Sequence, residues 1–197
     1  MVGIRANDFY NTAVLYSKNG ELLGEYVKGA PVPLFLDGIA GEQFTPIHTE
    51  FGEIGLGICY DLDNPFVVHQ TVANGAQLLI VPTADSMSWT ALQHEQHAIM
   101  GPIRAVEYRR WILRPASSGH SQIIDPLGRI LGELPIGEEG VLEGDVAFSS
   151  EKTIYLMVGR IIPWGCLTIV LASVVVLGYK KFQRFLCSIF LGKSVRN

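Results

Sequence analysis

The sequence predicts an α/β fold, with helices packed on a mixed β-sheet, followed by one transmembrane helix. Apolar runs of strand length, separated by turns rich in Gly, Pro and Asn, fill the first part of the chain. After residue 64, helical and strand patterns alternate, which is typical of a layered α/β arrangement. Residues 161–179 form a run of 19 residues without a charged side chain.

The first part of the chain predicts a hairpin and a buried strand. Strands are expected at 12–17, 22–27, 44–47 and 53–59. Asn19 and Gly20, between the first two runs, are a strong signal for a tight hairpin turn. Residues 29–41 are rich in Gly and Pro, so we expect no regular element there. The last of these strands is spaced by glycines and ends on Cys59.

The second part predicts helices and strands in alternation. The expected helices are 64–74 and 90–110, and the expected strands are 77–82, 111–117, 120–124, 129–133 and 141–146. Asn64 and Pro65 can cap and start the first helix, and Gly75 can end it. The run 77–82 is continuously apolar, which indicates a strand buried on both faces of the sheet.

The charge distribution argues against one class of function. The 197 residues include 15 basic and 19 acidic ones, which gives a net charge of −4. Residues 1–160 hold all 19 acidic residues but only 10 basic ones, so their net charge is −9. Nucleic-acid binding needs a basic patch or stripe, and we therefore expect no nucleic-acid partner.

The uncharged segment 161–179 has about the length of one bilayer crossing at about 1.5 Å rise per residue. Trp164 and Tyr179 lie near its ends, as interfacial aromatic residues do, and Lys180 and Lys181 follow directly. The alternative is the core helix of a soluble protein, but such a helix rarely lacks every charge over this length. The segment therefore predicts a membrane span.

The basic residues after the span predict its orientation. The positive-inside rule places the tail 180–197 in the cytoplasm and the acidic body on the other side, which in a bacterium is the periplasm. We expect a protein of the cell inner membrane with a body at 1–150, a linker at 151–160, one span at 161–179 and a tail at 180–197. The first residues lack the order of a signal peptide, so we expect either an upstream segment or a span that acts as a reverse signal anchor.

Cys59 is the candidate nucleophile. It lies between an apolar strand and a polar turn, so its sulfur is expected at a sheet edge that substrate can reach. A thiolate forms acyl intermediates when nearby groups favour its ionisation. Cys166 lies in the span and Cys187 in the tail, so Cys59 has no obvious disulfide partner. The alternative is a buried thiol that serves as a small apolar side chain.

Residues 57–61, with the sequence GICYD, resemble the nucleophile motif of the nitrilase, or carbon–nitrogen hydrolase, superfamily. Further features agree in order: Asn11-Thr-Ala, Asn19-Gly followed by Tyr26-Val-Lys28, Pro31-Val-Pro33, and Arg104-Ala-Val-Glu107 followed by Asp125-Pro-Leu-Gly128. The resemblance covers about residues 7–148. It implies the C-terminal portion of a nitrilase-like α-β-β-α sandwich.

Within that superfamily the closest resemblance is to the apolipoprotein N-acyltransferase family. The catalytic domain of that family lies outside the cytoplasmic membrane and is followed by a final transmembrane helix. Residues 153–159 lead into such a helix in this chain. Soluble nitrilases and amidases have no need of the segment 161–179, so this segment favours the lipid-handling branch.

The resemblance implies a Glu-Lys-Cys triad in which Cys59 is the nucleophile. Lys28 would stabilise the developing oxyanion together with the backbone N–H of Tyr60. A lysine at the end of a strand is otherwise most often a solvated side chain. The implied reaction is ping-pong acyl transfer without a cofactor. Cys59 takes an acyl chain from a phospholipid as a thioester and passes it to the amino group of a diacylglyceryl-modified N-terminal cysteine on a lipoprotein.

Other polar residues are weaker candidates. Asp85, Ser86 and Trp89 follow the apolar strand at the edge where Cys59 is expected, so they are candidate pocket residues, with a plain loop as the alternative. His94 and His97 lie one helical turn apart, a spacing that can suit a metal. No second ligand pair or carboxylate set accompanies them in the sequence, so we expect no metal site.

Two acidic groups of the superfamily have no matching motif. The triad glutamate, which takes the thiol proton, should precede Lys28, but Asp8, Glu21 and Glu25 lie in no such motif. The second glutamate of the superfamily usually follows the lysine shortly, and Asp37 is its nearest counterpart, with Glu42 a poorer fit. We therefore expect this chain to be the C-terminal part of a longer enzyme, with little or no activity alone.

Two other functions stay open on the sequence. One is a membrane-anchored amidase or nitrilase that hydrolyses a small carbon–nitrogen substrate, with water in place of the amine acceptor. The other is a noncatalytic, membrane-tethered module that binds lipid or a partner protein. A partner chain that supplies the N-terminal half of the sandwich is a further expectation.

Overall fold

The computed structural model describes residues 9–33, 35, 37–159 and 161–191, and the side chains of the last helix as far as residue 183. The chain divides into two compact units, of which the first ends at Leu156 and the second begins at Met157. The first unit contains the sheets and the candidate site. The second unit consists mainly of one long helix.

A two-stranded hairpin opens the described part of the chain. It pairs β1, Thr12–Tyr16, with β2, Leu22–Val27, in antiparallel register. Gly20 in the connecting turn has φ +82°, which a glycine adopts without a Cβ clash. The hairpin that Asn19 and Gly20 predict is therefore confirmed.

The main sheet of the first unit has six described strands. They are β3 Ile47–Thr49, β4 Gly52–Leu56, β5 Leu78–Ile80, β6 Trp111–Arg114, β7 Ser121–Ile124 and β8 Ile130–Leu134, in that order across the sheet. β4, β5 and β6 run parallel, and the other neighbours run antiparallel. The carboxyl ends of the three parallel strands meet at one edge of the sheet, where ligands of α/β folds usually bind.

Three helices of the first unit are α1 Pro65–Ala73, α2 Ala91–Ala98 and α3 Met100–Tyr108. Asn64 caps α1 as the sequence predicts, since its Oδ1 accepts the N–H of Phe66 at 3.0 Å. The single helix expected over 90–110 is wrong, because the chain breaks at Ile99 into α2 and α3. Pro102 has no N–H to donate to the preceding turn, which weakens the helical hydrogen bonding at this point.

Three strand expectations need correction. The strand expected to end on Cys59 stops at Leu56, and Cys59 begins a 3-10 turn, Cys59–Leu62. The strand expected at 44–47 forms later, as β3. Residues 141–146 form no strand. Glu143, Gly144 and Asp145 have low strand propensity, which outweighs the valines at the two ends.

Both faces of the six-stranded sheet are covered. Leu79 and Ile112 pack in one apolar cluster with residues of α1 and α3. Leu78 and Ile54 pack in a second cluster with Tyr26 of the hairpin. Because successive residues of a strand point to opposite faces, helices cover one face and the hairpin covers part of the other. This confirms β5 as a strand buried on both faces.

The remaining helices are short α4, Ile154–Val158, and long α5, Ile162–Leu191. Residues 162–183 of α5 form a helix long and apolar enough to cross a membrane, with a mean hydropathy of 2.0 and an apolar stretch that is not buried by the rest of the protein. The helix begins one residue later than the segment 161–179 and continues past Tyr179 through Lys180 and Lys181.

Candidate active site

The loop after β4 presents the Cys59 thiol. Cys59 has a left-handed backbone with φ 50°, which is uncommon for a residue that carries a Cβ. Its N–H donates to the C=O of Pro82 at 2.9 Å, and its Sγ lies 3.9 Å from the C=O of Ala84. These contacts with the loop after β5 hold Cys59 in a conformation that costs about 1–3 kcal/mol. Conformations of this kind cluster at active sites.

Asp61 fixes the position of the turn that begins at Cys59. Its Oδ2 accepts the N–H of Ile58 and the O–H of Tyr26, both at 2.8 Å. Its Oδ1 accepts the N–H of Ala30 at 2.7 Å. Burial raises the pKa of the Asp61 carboxyl, although these three donors act in the opposite direction. Asp61 therefore connects the nucleophile turn to the residues on either side of Lys28.

Lys28 follows β2 and pairs with Asp37. The Nζ of Lys28 lies 2.6 Å from Oδ2 of Asp37, and the lysine side chain is only 2% exposed. Asp37 also accepts the N–H of Val32 at 2.9 Å and the side-chain amide of Asn11 at 3.0 Å. Burial would raise the pKa of Asp37, but Lys28 and these two donors lower it. Asp37 thus lies where a carboxylate can hold the ammonium group.

Cys59, Lys28 and Asp37 all line one cavity of about 1270 Å³. Tyr60 and Ser86 line it too. Much of the remaining wall is apolar and consists of side chains that include Val14, Val32, Phe35, Trp89, Ile99 and Met100. The cavity therefore combines a thiol and a paired ammonium group with a large apolar surface.

The acidic residues before Lys28 do not supply a second carboxylate to this cavity in the described part of the chain. Glu21 and Glu25 are exposed on the hairpin and lie outside the cavity lining. Asp8 lies outside the described residues. Besides Asp37, the carboxylate in the described lining is that of Asp63.

A buried charged cluster lies behind the thiol. Nδ1 of His97 lies 2.6 Å from Oδ1 of Asp85, and Nε2 of His97 lies 3.2 Å from Oδ2 of Asp63. The second of these is an ion contact whose angles fall short of a hydrogen bond. Arg114 lies 3.3 Å from the other oxygen of Asp85. The cluster thus combines two carboxylates with the imidazole and one guanidinium group.

The neighbours of His97 favour its charged form. Burial would lower the pKa of His97, but Asp63 and Asp85 raise it, together with Cys59, to about 11. Burial would likewise raise the pKa of Asp85, but His97 and Arg114 lower it. Both pKa shifts favour the charged forms, so at neutral pH an imidazolium lies next to ionised carboxylates.

The candidate pocket residues Asp85, Ser86 and Trp89 lie at the same edge of the sheet as Cys59, but only two of them line the cavity. Ser86 and Trp89 line the cavity, whereas Asp85 lies behind its wall with 5% exposure. No carboxylate partner of His97 was evident from the sequence, and the structure shows that Asp85 is this partner. Sγ of Cys59 and one donor atom each of Asp85 and His97 lie within 4.8 Å of one another.

Sequence reasoning missed Arg114, although a signal was available. Within β6, Ile112 and Arg114 are buried while Trp111 and Leu113 are only partly so. A charged side chain on the core-facing side of a strand needs a buried partner, because an unpaired buried charge is costly. The partner, Asp85, comes from a loop 29 residues earlier and has no local sequence signal.

Residues 3–154 match the family model described as carbon–nitrogen hydrolase. The match covers more than half of the chain and includes the whole of the site described above. The chain belongs to the carbon–nitrogen hydrolase family. This confirms the resemblance that the GICYD motif carries.

Relatives of this carbon–nitrogen hydrolase include both acyltransferases and amidases. It is 29% identical to an apolipoprotein N-acyltransferase of Geobacter metallireducens over 80% of this chain and 34% of that protein. It is 33% identical to a deaminated glutathione amidase of Synechocystis sp. over 65% of this chain and 54% of that protein. The chain thus spans between a third and about half of the length of these relatives.

Solved structures show the same fold. Nit3 of Saccharomyces cerevisiae, a nitrilase-superfamily member, matches with a TM-score of 0.58 and 28% identity over 66% of this chain and 51% of that chain. A mutant amidase of Nesterenkonia sp. AN1 matches with a TM-score of 0.54 and 30% identity over 64% of this chain and 51% of that chain. In that amidase the active-site cysteine carries the acetamide moiety of fluoroacetamide.

Proposed function

We propose that this carbon–nitrogen hydrolase transfers an acyl chain from a phospholipid to the N-terminal amine of a lipoprotein through a thioester on Cys59. The cavity that joins the Cys59 thiol and the Lys28 ammonium group to an apolar wall carries the proposal. A phospholipid has a polar ester carbonyl and an apolar chain, so each part of this donor meets a matching surface. Similarity to the Geobacter N-acyltransferase supports the same reaction.

The first half-reaction forms the thioester. The thiolate of Cys59 attacks the ester carbonyl, and the oxyanion develops beside the Lys28 ammonium group and the N–H of Tyr60. Tyr60 is the second residue of the 3-10 turn, and the first N–H groups of a helix have no acceptor within it. The C–O bond to glycerol then breaks, and the departing alcohol takes up the equivalent of the proton that the thiol lost.

The second half-reaction releases the product. The amine of the acceptor attacks the thioester carbonyl, an amide bond forms, and the Cys59 thiolate leaves as the amine loses a proton. Asp37 holds the Lys28 ammonium group in place during both steps, since it accepts from Lys28, Val32 and Asn11 together.

We propose that α5 anchors the body at the cytoplasmic membrane with the site on the outer side. The support is its 22-residue apolar stretch, 162–183, and the position of Lys180 and Lys181 near the end of that stretch. A phospholipid donor lies in the membrane, so an anchored body stays near its substrate.

This chain spans between a third and about half of the length of these relatives, and this supports one further proposal. We propose that another segment or a partner chain supplies the triad glutamate and the rest of the sandwich. Residues 1–197 alone are then expected to form the thioester slowly and to show little turnover, because no glutamate of the described residues lines the cavity of Cys59 as the resemblance to the superfamily implies.

Amide hydrolysis is a second candidate function. Similarity to the Synechocystis amidase and the fold shared with the Nesterenkonia amidase favour it. The thiol and the ammonium group would act in the same way on an amide carbonyl, with water replacing the acceptor amine in the second step.

Mass spectrometry of Cys59 tests the proposal. The protein in detergent micelles is incubated with a phospholipid or with a soluble amide, and the peptide that contains Cys59 is weighed. We expect an acyl adduct from the phospholipid that hydroxylamine removes, that is lost in Cys59→Ser and that persists in Cys166→Ser. An adduct from the amide alone would support the hydrolase, and no adduct from either would contradict both functions.

A further inference from the structure

One titratable group close to the Cys59 thiol is not part of the proposed triad. A ring nitrogen of His97 lies within 4.8 Å of Sγ of Cys59. His97 also lines the cavity, and only 7% of its surface is exposed. A buried imidazole at this distance from a nucleophilic sulfur has to be either neutral or charged, and the two states affect the thiolate in opposite ways.

The contacts of His97 decide its charge. Both ring nitrogens face carboxylate oxygens, with Asp85 at 2.6 Å from Nδ1 and Asp63 at 3.2 Å from Nε2. A neutral imidazole has only one N–H, so one of its two nitrogens would face a carboxylate oxygen with no proton between them. The imidazolium has a proton on each nitrogen and a charge that attracts both carboxylates, Asp85 through a hydrogen bond and Asp63 through an ion contact.

We infer that His97 is a fixed cation that stabilises the Cys59 thiolate, and that Asp63 and Asp85 hold it in that charged state. His97 is therefore a positioning residue that acts through the thiol and takes no proton from it during the reaction. A cation within about 4–6 Å of an ionisable thiol favours the thiolate by a factor of about ten or more. The inference concerns the reactivity of the thiol and does not depend on the identity of the acyl donor.

The same three residues are also a candidate metal centre, since thiolate, imidazole and carboxylate are zinc ligands. The geometry argues against it. Both oxygens of Asp85 are engaged, one by His97 and the other by Arg114. The Arg114 guanidinium group lies 3.2 Å from Nδ1 of His97, so two cationic groups already share this site. The carboxylates of Asp63 and Asp85 balance the charges of His97 and Arg114, which leaves no carboxylate charge for a metal ion.

The charges around His97 come from several elements. The groups that face it are Cys59, Asp63 directly after the nucleophile turn, Asp85 of the loop after β5 and Arg114 of β6. His94 of the same helix contacts Asp85, and Lys28 lies in the wall of the same cavity.

His94 offers a matched control. It lies one turn earlier on α2, its side chain is 2% exposed and its Nδ1 lies 3.6 Å from Asp85, but it does not line the cavity.

Alkylation of Cys59 by iodoacetamide tests the inference. The full chain in detergent micelles carries Cys166→Ser and Cys187→Ser, so that only Cys59 can react. In this reaction an S–C bond forms, a C–I bond breaks, iodide leaves and the thiol proton goes to solvent. We expect His97→Gln to slow alkylation at pH 7 by about tenfold or more, and His94→Gln to leave the rate within about twofold.

The pH profile separates an electrostatic role of His97 from a structural one. Between about pH 9 and pH 7 the rate of His97→Gln should fall steeply, as that of an ordinary thiol does, whereas the parent rate should level off at a lower pH and fall several-fold less over the same range. Parallel profiles for the parent and His97→Gln would overturn the inference, even if the variant melted earlier. If His97→Gln does not fold, the parent is compared with its own urea-unfolded form, and equally steep profiles would overturn it.

Discussion

Nζ of Lys28 lies 2.6 Å from Oδ2 of Asp37, and both residues line the cavity that contains the Cys59 thiol. Taking an ammonium group out of water is costly, and its carboxylate partner and the donors around that partner offset the cost. A buried pair of this kind adds little net stability compared with apolar residues. Because the pair lies at the cavity wall, the charge of Lys28 is placed where it can stabilise an oxyanion.

Asp37→Asn should lower the free energy of unfolding of the first unit by about 1–3 kcal/mol, because the Lys28 ammonium group stays buried without its countercharge. Urea titration in detergent micelles measures the change. Glu50→Gln is the control, since it breaks the exposed Lys18–Glu50 pair at 3.0 Å and should cost about 0–1 kcal/mol. Equal losses in both variants would contradict the assigned burial of Lys28.

The same pair predicts how stability depends on acid. Because Lys28, Val32 and Asn11 lower the pKa of Asp37 below its ordinary 3.8, the pair stabilises the fold above that value. This stabilisation is lost as the pH falls through the lower pKa of the folded state. We expect unfolding free energy to decline below about pH 4, and to decline less steeply in Asp37→Asn. Parallel curves between about pH 2 and pH 6 would contradict the shift.

Asp61→Asn should loosen the nucleophile turn. An asparagine has one acceptor oxygen, so its NH₂ group would face at least one of the donors from Ile58, Tyr26 and Ala30. We expect a loss of about 1–3 kcal/mol, together with faster amide hydrogen exchange in the turn. The exposed Asp145→Asn should change stability by less than about 0.5 kcal/mol. Unchanged exchange in Asp61→Asn would exclude its proposed role in fixing the turn.

Much of the fold follows from local sequence signals. The Asn19-Gly20 turn, the Asn64 cap and the apolar run of β5 each depend on a few neighbouring residues, and the structure confirms all three. The break at Ile99 was also open to prediction, because Pro102 lies inside the helical pattern. The left-handed Cys59 was not, since its φ depends on hydrogen bonds from the loop after β5.

The candidate site was predictable only where a motif names the residue. The positions of Cys59 and Lys28 came from the resemblance, and Asp37 came from its distance after the lysine. His97 and Asp85 are 12 residues apart, and Arg114 joins them from a third element. Such long-range pairing leaves no periodic pattern in the sequence, so only the packed structure places these charges behind the thiol.

Gly119→Ala should disturb the charged cluster without changing any charge. A Cβ at this position would overlap Oδ2 of Asp85, which has to shift away from His97 or Arg114. We expect a loss of about 1–3 kcal/mol in unfolding free energy, measured by urea titration, and slower alkylation of Cys59 at pH 7. Gly132→Ala is the control, because its Cβ would meet its neighbours at 3.7 Å. A Gly119→Ala protein with parent stability and parent alkylation would contradict the placement of Asp85.

The proposed span makes a prediction that is independent of the thiol. Val174 lies near the middle of the apolar stretch 162–183, where an arginine costs about 2.5–3.5 kcal/mol of insertion free energy. Val174→Arg should therefore reduce the fraction of the protein that resists alkaline carbonate extraction from membranes. Tyr179→Arg should have a much smaller effect, because an arginine near the end of a span reaches the interface. Equal extraction of both variants and the parent would show that α5 is held by something other than the bilayer core.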